Sequence, residues 1–148
     1  MKLTVVWIGK TKQPAIQALT DEYLKRLSHY ADVEGKTVKD EAALLALAGQ
    51  SKRAHARHTL ALLDPKGKQF SSEELAKFLG DYQDRNPLPL CFAIGPADGF
   101  TDEARRAAAS LLSLGRMTIA HELARVVVLE QLYRAFTFLK GHPYHLGH

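Results

Sequence analysis

Apolar residues in this chain recur with two periods, and stretches of one alternate with stretches of the other. Residues 2–9 are rich in β-branched and apolar side chains and predict a first strand. Pro14 then opens a segment in which Ile16, Leu19, Tyr23 and Leu27 recur at helical spacing, with Asp21, Glu22, Lys25 and Arg26 on other faces. Residues 32–38 predict a weak strand. Residues 40–57 predict an Ala/Leu-rich helix that ends basic, in Lys52, Arg53, His55 and Arg57. Thr59 to Leu63 reads as a short buried strand stopped by the turn Asp64-Pro65-Lys66-Gly67.

Ser71 with Glu74 forms a capping box for a helix running to about Asp84, and Asn86-Pro87 breaks it. Leu88 to Ile94 predicts another strand, with Pro89 near its start. Gly95 to Gly99 is a tight loop, and Thr101 caps the next helix with Asp102 and Glu103 in its first turn. Ser110 to Ile119 reads as loop or strand around Gly115. His121 to about Leu139 predicts a long helix containing the run Val126 to Leu129, and a tail of Gly141 to His148 follows.

Short apolar strands separated by amphipathic helices predict an α/β fold, a mainly parallel sheet flanked by helices on both faces. In such sheets ligands sit at the carboxyl ends of the strands. The loops 64–68, 95–100 and 115–119 are therefore the first places to look for a site. No internal repeat, low-complexity tract or linker divides the chain, so residues 1–148 read as one domain. With 148 residues, 46% apolar and 24% charged, that domain can bury a core without disulfides or a structural metal. No run of 18 apolar residues predicts a membrane span. The opening stretch turns polar after Gly9 and reads as a strand rather than a signal peptide. The lone Cys91, inside an apolar strand, fits a reducing cytoplasm and an inert buried thiol. A net charge of +4 permits a polyanionic partner without demanding one.

Each candidate group has a bland reading beside its chemical one. The Gly95 to Gly99 loop is neither a phosphate-binding GK[ST] loop nor GxGxxG, so a simple strand-to-helix turn competes with a ligand-facing backbone. Glu130 and Arg134, four apart, are either a surface ion pair or the edge of a pocket. Arg125 is either a solvated charge or an anchor. His142, His145 and His148 have zinc-like spacing, but Pro143 keeps them off one helical face, and a frayed end is the preferred reading over a metal site.

The ordered set of motifs is more specific than any one of them. It comprises the opening Met-Lys-Leu-x-Val-Val-x-Ile-Gly-Lys, the strand end Ile94-Gly95, Leu111-Leu112-Ser113-Leu114, the helix from His121 to Ala135, and Pro143-Tyr144-His145. This set resembles the RlmH family, small members of the SPOUT methyltransferases, along the whole chain. Periodicity alone suggests an unknotted Rossmann-like sheet. The resemblance instead implies a C-terminal trefoil knot, a cytoplasmic homodimer, and S-adenosylmethionine held in the knotted loops. The implied reaction is methylation of N3 of a pseudouridine in 23S ribosomal RNA on assembled ribosomes, with no role for DNA or a membrane. The implied cofactor contacts are Leu63, Gly95, Leu114, Gly115, Arg116, Met117, Thr118 and Ile119. The implied substrate side is Glu130, Arg134, Tyr144 and His145. His145 or Glu130 would accept the N3 proton, the imidazole being favoured by its near-neutral titration, and Arg134 would stabilise developing charge or hold a phosphate.

The sequence departs from the family pattern in three places. Pro96 stands where a second Gly is usual, which removes a backbone N–H; Ala120 stands for Pro; and Leu146 stands for a cation. Competing readings are a SPOUT enzyme with another RNA target, a non-catalytic RNA-binding module, and a protein binding metal through its tail histidines.

Overall fold

The computed structural model describes residues 1–49 and 58–146, the last two by backbone alone. The expected basic stretch at Lys52 to Arg57 lies outside the described residues. Five strands form one parallel sheet: β1 (Lys2–Ile8), β2 (Asp32–Val38), β3 (Thr59–Gln69), β4 (Leu90–Ile94) and β5 (Ser110–Ser113), in the order β2-β1-β4-β3-β5. Among the described residues, five helices connect and cover them: α1 (Pro14–Leu27), α2 (Glu41–Leu47), α3 (Ser72–Arg85), α4 (Asp102–Ala107) and α5 (His121–Lys140).

Side chains leave a strand alternately on its two faces, so each strand of a doubly covered sheet is apolar at consecutive positions. Leu3, Val5, Trp7, Leu90, Phe92 and Ile94 face α1, α3 and α5, where Leu27, Leu79, Leu129, Leu132 and Phe136 meet them. Val6, Ile8, Leu60, Leu62, Cys91 and Ala93 face α2 and α4, where Leu44, Leu45 and Ala104 meet them. The weak pattern of β2 follows from its place at the sheet edge, where only Val38 is buried.

Local signals hold where the partners are local. Ser71 Oγ accepts from the Glu74 amide at 3.1 Å, and Glu74 Oε1 accepts from the Ser71 amide at 3.0 Å, which completes the capping box. Thr101 Oγ1 accepts from the Ala104 amide at 3.3 Å. Gly141 ends α5 at φ 69°, the left-handed conformation that glycine adopts without strain.

Three details differ from the pattern reading. Asp64 to Gly67, read as a turn that stops the strand, instead lie within β3, where the pairing register shifts. The chain makes an excursion there and pairs again, so that Leu112 of β5 faces first Leu63 and then Lys68. β4 begins at Leu90 rather than Leu88, which is exposed. Leu19 is 44% exposed although it recurs with Ile16 and Tyr23, because α1 buries a narrower stripe of Ile16, Thr20 and Leu27.

Candidate functional site

The carboxyl ends of β3, β4 and β5 open into one cleft of about 760 Å³. Leu63 and Asp64 line it from β3, Ile94 to Ala97 from the end of β4, and Ser113 to Ala120 from the end of β5 and the stretch after it. The first turns of α5 close it with His121 and Ala124. All eight residues expected to hold a cofactor lie on this cleft: Leu63, Gly95, Leu114, Gly115, Arg116, Met117, Thr118 and Ile119.

The walls are built by specific constraints. A Cβ on Gly95 would sit 3.0 Å from the Phe100 ring, so a larger residue there requires that buried aromatic to give by a few tenths of an ångström. Gly115 has φ +126°, and no atom lies within 4 Å of the place its Cβ would take. Ser113 Oγ donates to the Gly115 carbonyl at 3.0 Å and accepts from the Gly115 amide at 3.1 Å, which folds the chain sharply as it leaves β5. Asp64 is 3% exposed. Its Oδ1 accepts from the Lys66 amide at 2.8 Å, and its Oδ2 accepts from Arg105 Nε at 2.8 Å. Arg105 also donates to Asp102 at 2.8 Å, so the β3 excursion and α4 are tied together across the cleft wall. These two carboxylates raise the Arg105 pKa, the Asp64 hydrogen bond most.

The expected substrate residues form a second cluster. Glu130 Oε1 accepts from Arg134 Nη2 at 2.5 Å and Nε at 3.0 Å, and from Tyr144 Oη at 3.2 Å. Its Oε2 accepts from Gln131 Nε2 at 2.8 Å. The Arg134 guanidinium lies 5.2 Å from the Tyr144 ring centre. Side-chain exposures of 16% and 19% for Arg134 and Glu130 take the pair out of the solvated class that spacing left open. The Tyr144 pKa is raised by burial, by its contact with Tyr23, and by the Glu130 charge, so the phenol stays protonated and donates. His145 belongs to a 3-10 turn over Pro143–Leu146, but the expectation for its imidazole lies outside the described side chains.

The two clusters are separate on one chain. Along α5, Glu130 is six residues beyond Ala124 and Arg134 ten, which is about 9 and 15 Å of helix. Glu130, Arg134 and Tyr144 come together, and the eight cleft residues come together, but the first group does not line the cleft.

Sequence reasoning missed several supporting residues. Asp64 read only as a turn former, and its partner Arg105 lies 41 positions away. Tyr30 read as nothing in particular, yet its hydroxyl bonds His142 Nδ1 and its ring stacks on Phe136, anchoring the tail to α5. Arg125, by contrast, reads in the sequence as either a solvated charge or an anchor, and it is the anchor: it is fully buried, bonds Thr11 Oγ1, and lies 4.6 Å from the Trp7 ring centre. Burial lowers its pKa against the opposing pull of Glu122.

Comparison with known proteins bears on this arrangement. A family model for predicted SPOUT methyltransferases matches residues 1–145. A protein of Koribacter versatilis named Ribosomal RNA large subunit methyltransferase H is 57% identical over 148 residues, covering all of both chains. Proteins of the same name from Geotalea daltonii and Geobacter sulfurreducens are each 40% identical over 152 residues, covering 98% of this chain and 99% of theirs. The match runs through the sheet, the cleft loops and α5 alike, and this chain belongs to the SPOUT methyltransferase family.

Proposed function

We propose that this protein transfers the methyl group of S-adenosylmethionine to N3 of a pseudouridine in the 23S RNA of assembled ribosomes, in the cytoplasm and as a homodimer. The observation that carries the reading is the convergence of all eight expected cofactor residues on one cleft at the carboxyl edge of the sheet. The relatives' shared name, which specifies ribosomal RNA of the large subunit, supports the substrate class.

The cleft fits such a donor. Its volume lies in the range of roughly 300–1,000 Å³ usual for small-molecule sites. Leu63, Ile94, Leu114 and Ile119 offer apolar walls to a purine and an alkyl chain, while Asp64, Ser113 and Thr118 bring polar atoms. The open backbone at Gly115 suits close approach of a ligand. When bound, the cofactor supplies an electrophilic methyl group on a sulfonium.

The chain's own residues must then align the acceptor and remove the N3 proton. Glu130 serves poorly as the proton acceptor, because Arg134, Tyr144 and Gln131 already donate to its oxygens. Its role is to orient those three groups. His145, two residues past Pro143, takes the proton, and Arg134 either stabilises the developing charge from outside the base pocket or holds a phosphate of the RNA. The trefoil knot implied by the family resemblance would run through the cleft loop after β5.

Dimer formation is supported by an apolar rim: Met117 is 85% exposed, Leu123 52% and Leu114 38%, all beside the cleft or the start of α5. Two copies also double a net charge of +4, which strengthens a salt-sensitive grip on RNA. Calorimetric titration with S-adenosylmethionine, followed by transfer of labelled methyl to intact ribosomes, naked large-subunit RNA and transfer RNA, tests the reading. Cofactor binding with transfer to ribosomes alone is expected. Binding without transfer to any ribosomal substrate would refute it.

A further inference from the structure

A second hollow, of about 320 Å³, opens between α3, β5 and α5. It shares Leu63, Ser113 and Leu114 with the cleft, so the two chambers meet across one ridge of side chains. Its walls are largely apolar, with Phe70, Leu75, Val127 and Val128 among them. Polar groups enter from Ser72 and Gln131.

Those two groups are held in a fixed relay. Ser72 Oγ donates to Gln131 Oε1 at 2.7 Å, and Gln131 Nε2 donates to Glu130 Oε2 at 2.8 Å. The amide orientation follows from chemistry: an ionised carboxylate only accepts, so Nε2 must face Glu130. An amide nitrogen carries two protons, and Glu130 takes one. Glu130 is itself gripped by Arg134 and Tyr144. The substrate-side cluster, which does not line the cleft, therefore reaches the hollow through Gln131.

We propose that this hollow seats the target pyrimidine ring, turned out of its RNA, with the second Nε2 proton of Gln131 donated to a ring carbonyl. The proposal rests on the methyltransferase reading above. A methyl acceptor must lie within bonding reach of the methyl donor, and Leu63, Ser113 and Leu114 are where the two chambers border each other. A flat pyrimidinedione has apolar faces that suit these walls and carbonyl edges that need a donor. Enzymes that act on a base commonly take it out of the stack into such a pocket.

The chemistry gives Gln131 a reason to be there. The N3 proton passes to the His145 imidazole, and the electron pair left behind spreads over N3 and its flanking carbonyl oxygens. The Gln131 amide stabilises that charge as it develops. The pair on N3 then forms the new N–C bond while the donor's C–S bond breaks, and that bond's electrons return to sulfur.

The test compares the wild type with Gln131→Met, Ser72→Ala and Ser72→Thr, using labelled cofactor and intact ribosomes lacking the modification. Gln131→Met is expected to slow single-turnover transfer about 100-fold, the usual loss for one such donor. Its rate should also rise with pH only at higher pH than wild type, because the ring anion has lost its donor. Ser72→Ala should lose about fivefold, and Ser72→Thr, which keeps the hydroxyl, should recover the wild-type rate. Cofactor affinity by calorimetry and oligomeric state by sedimentation should not change in any variant. An unaltered rate or pH profile in Gln131→Met overturns the proposal. So does a change in sedimentation, which would make the hollow a contact between two copies of the chain, or a loss of cofactor affinity, which would make it part of the cleft. Failure of the wild type to transfer methyl overturns the parent reading and this one with it.

Discussion

Replacing Gly67 with Ala tests whether the β3 excursion shapes the cleft. An ideal Cβ at Gly67 would sit 2.5 Å from the Leu111 carbonyl carbon, 2.6 Å from the Leu112 amide nitrogen and 2.7 Å from the Leu111 oxygen. Carbon atoms in contact normally keep about 3.5–4.0 Å, so one strand must move by close to ~1 Å. All three neighbours are backbone atoms of β5, a four-residue strand at the sheet edge, paired to β3. Overpacking of this kind costs about 1–3 kcal/mol. For a chain of this length that lowers Tm by roughly 3–10 °C. The displaced strand ends in Ser113 and leads directly into Leu114, both of which line the cleft, so cofactor affinity should fall about tenfold, equivalent to about 1.4 kcal/mol. Gly9→Ala is the control. Gly9 has φ +96° with nothing within 4 Å of its Cβ position, so that variant should lose only about 1 kcal/mol to backbone strain. It should bind cofactor normally. Thermal melts and calorimetric titration read both quantities. Wild-type Tm and affinity in Gly67→Ala would refute the link between the excursion and the cleft.

Other perturbations follow from single contacts. Glu122 Oε1 accepts from the amides of Lys12 at 2.7 Å and Gln13 at 3.4 Å, where α1 has no side-chain cap of its own. Glu122→Ala should cost about 0.5–2 kcal/mol, seen as a lower denaturation midpoint in urea. The Tyr144 phenol is raised above its ordinary value, so its stabilisation is complete below a pH of about 10 and is lost as pH climbs through the folded value. Melting curves across that alkaline range should fall more steeply for wild type than for Tyr144→Phe. Cys91 is fully buried, and burial raises its thiol to about 12, so a thiol reagent at neutral pH should label it only at the rate of unfolding.

Much of the fold is legible because its signals are local. The capping box at Ser71 and Glu74, Pro14 at the start of α1, and the apolar β1 and β4 strands each need only a few neighbouring residues to be recognised. The pairing that resumes at Lys68 depends on β5, more than 40 residues away, and turn chemistry at Asp64 to Gly67 conceals it. The cap on α1 comes from Glu122, about 110 positions further along the chain, so no N-terminal motif announces it. The cleft stretches that follow β4 and β5 are readable as carboxyl ends of strands, whereas residues 64–68, read the same way, lie within β3. Their supports, Asp64 with Arg105 and Gly67 against β5, are not, because they join elements distant in sequence. Glu130 and Arg134 show the limit of spacing: burial and the Tyr144 hydroxyl distinguish their pair from a solvated one, and neither is written in an i,i+4 interval.

Cleft, substrate-side cluster and family together point to methyl transfer to one ring nitrogen of large-subunit RNA. Its most direct test is a single turnover with labelled S-adenosylmethionine on intact ribosomes lacking the modification, with the product nucleotide mapped by mass spectrometry. One methyl group per large subunit, on N3 of a pseudouridine, is expected. A methyl group on another nucleotide, or none from a protein that binds the cofactor, would contradict it.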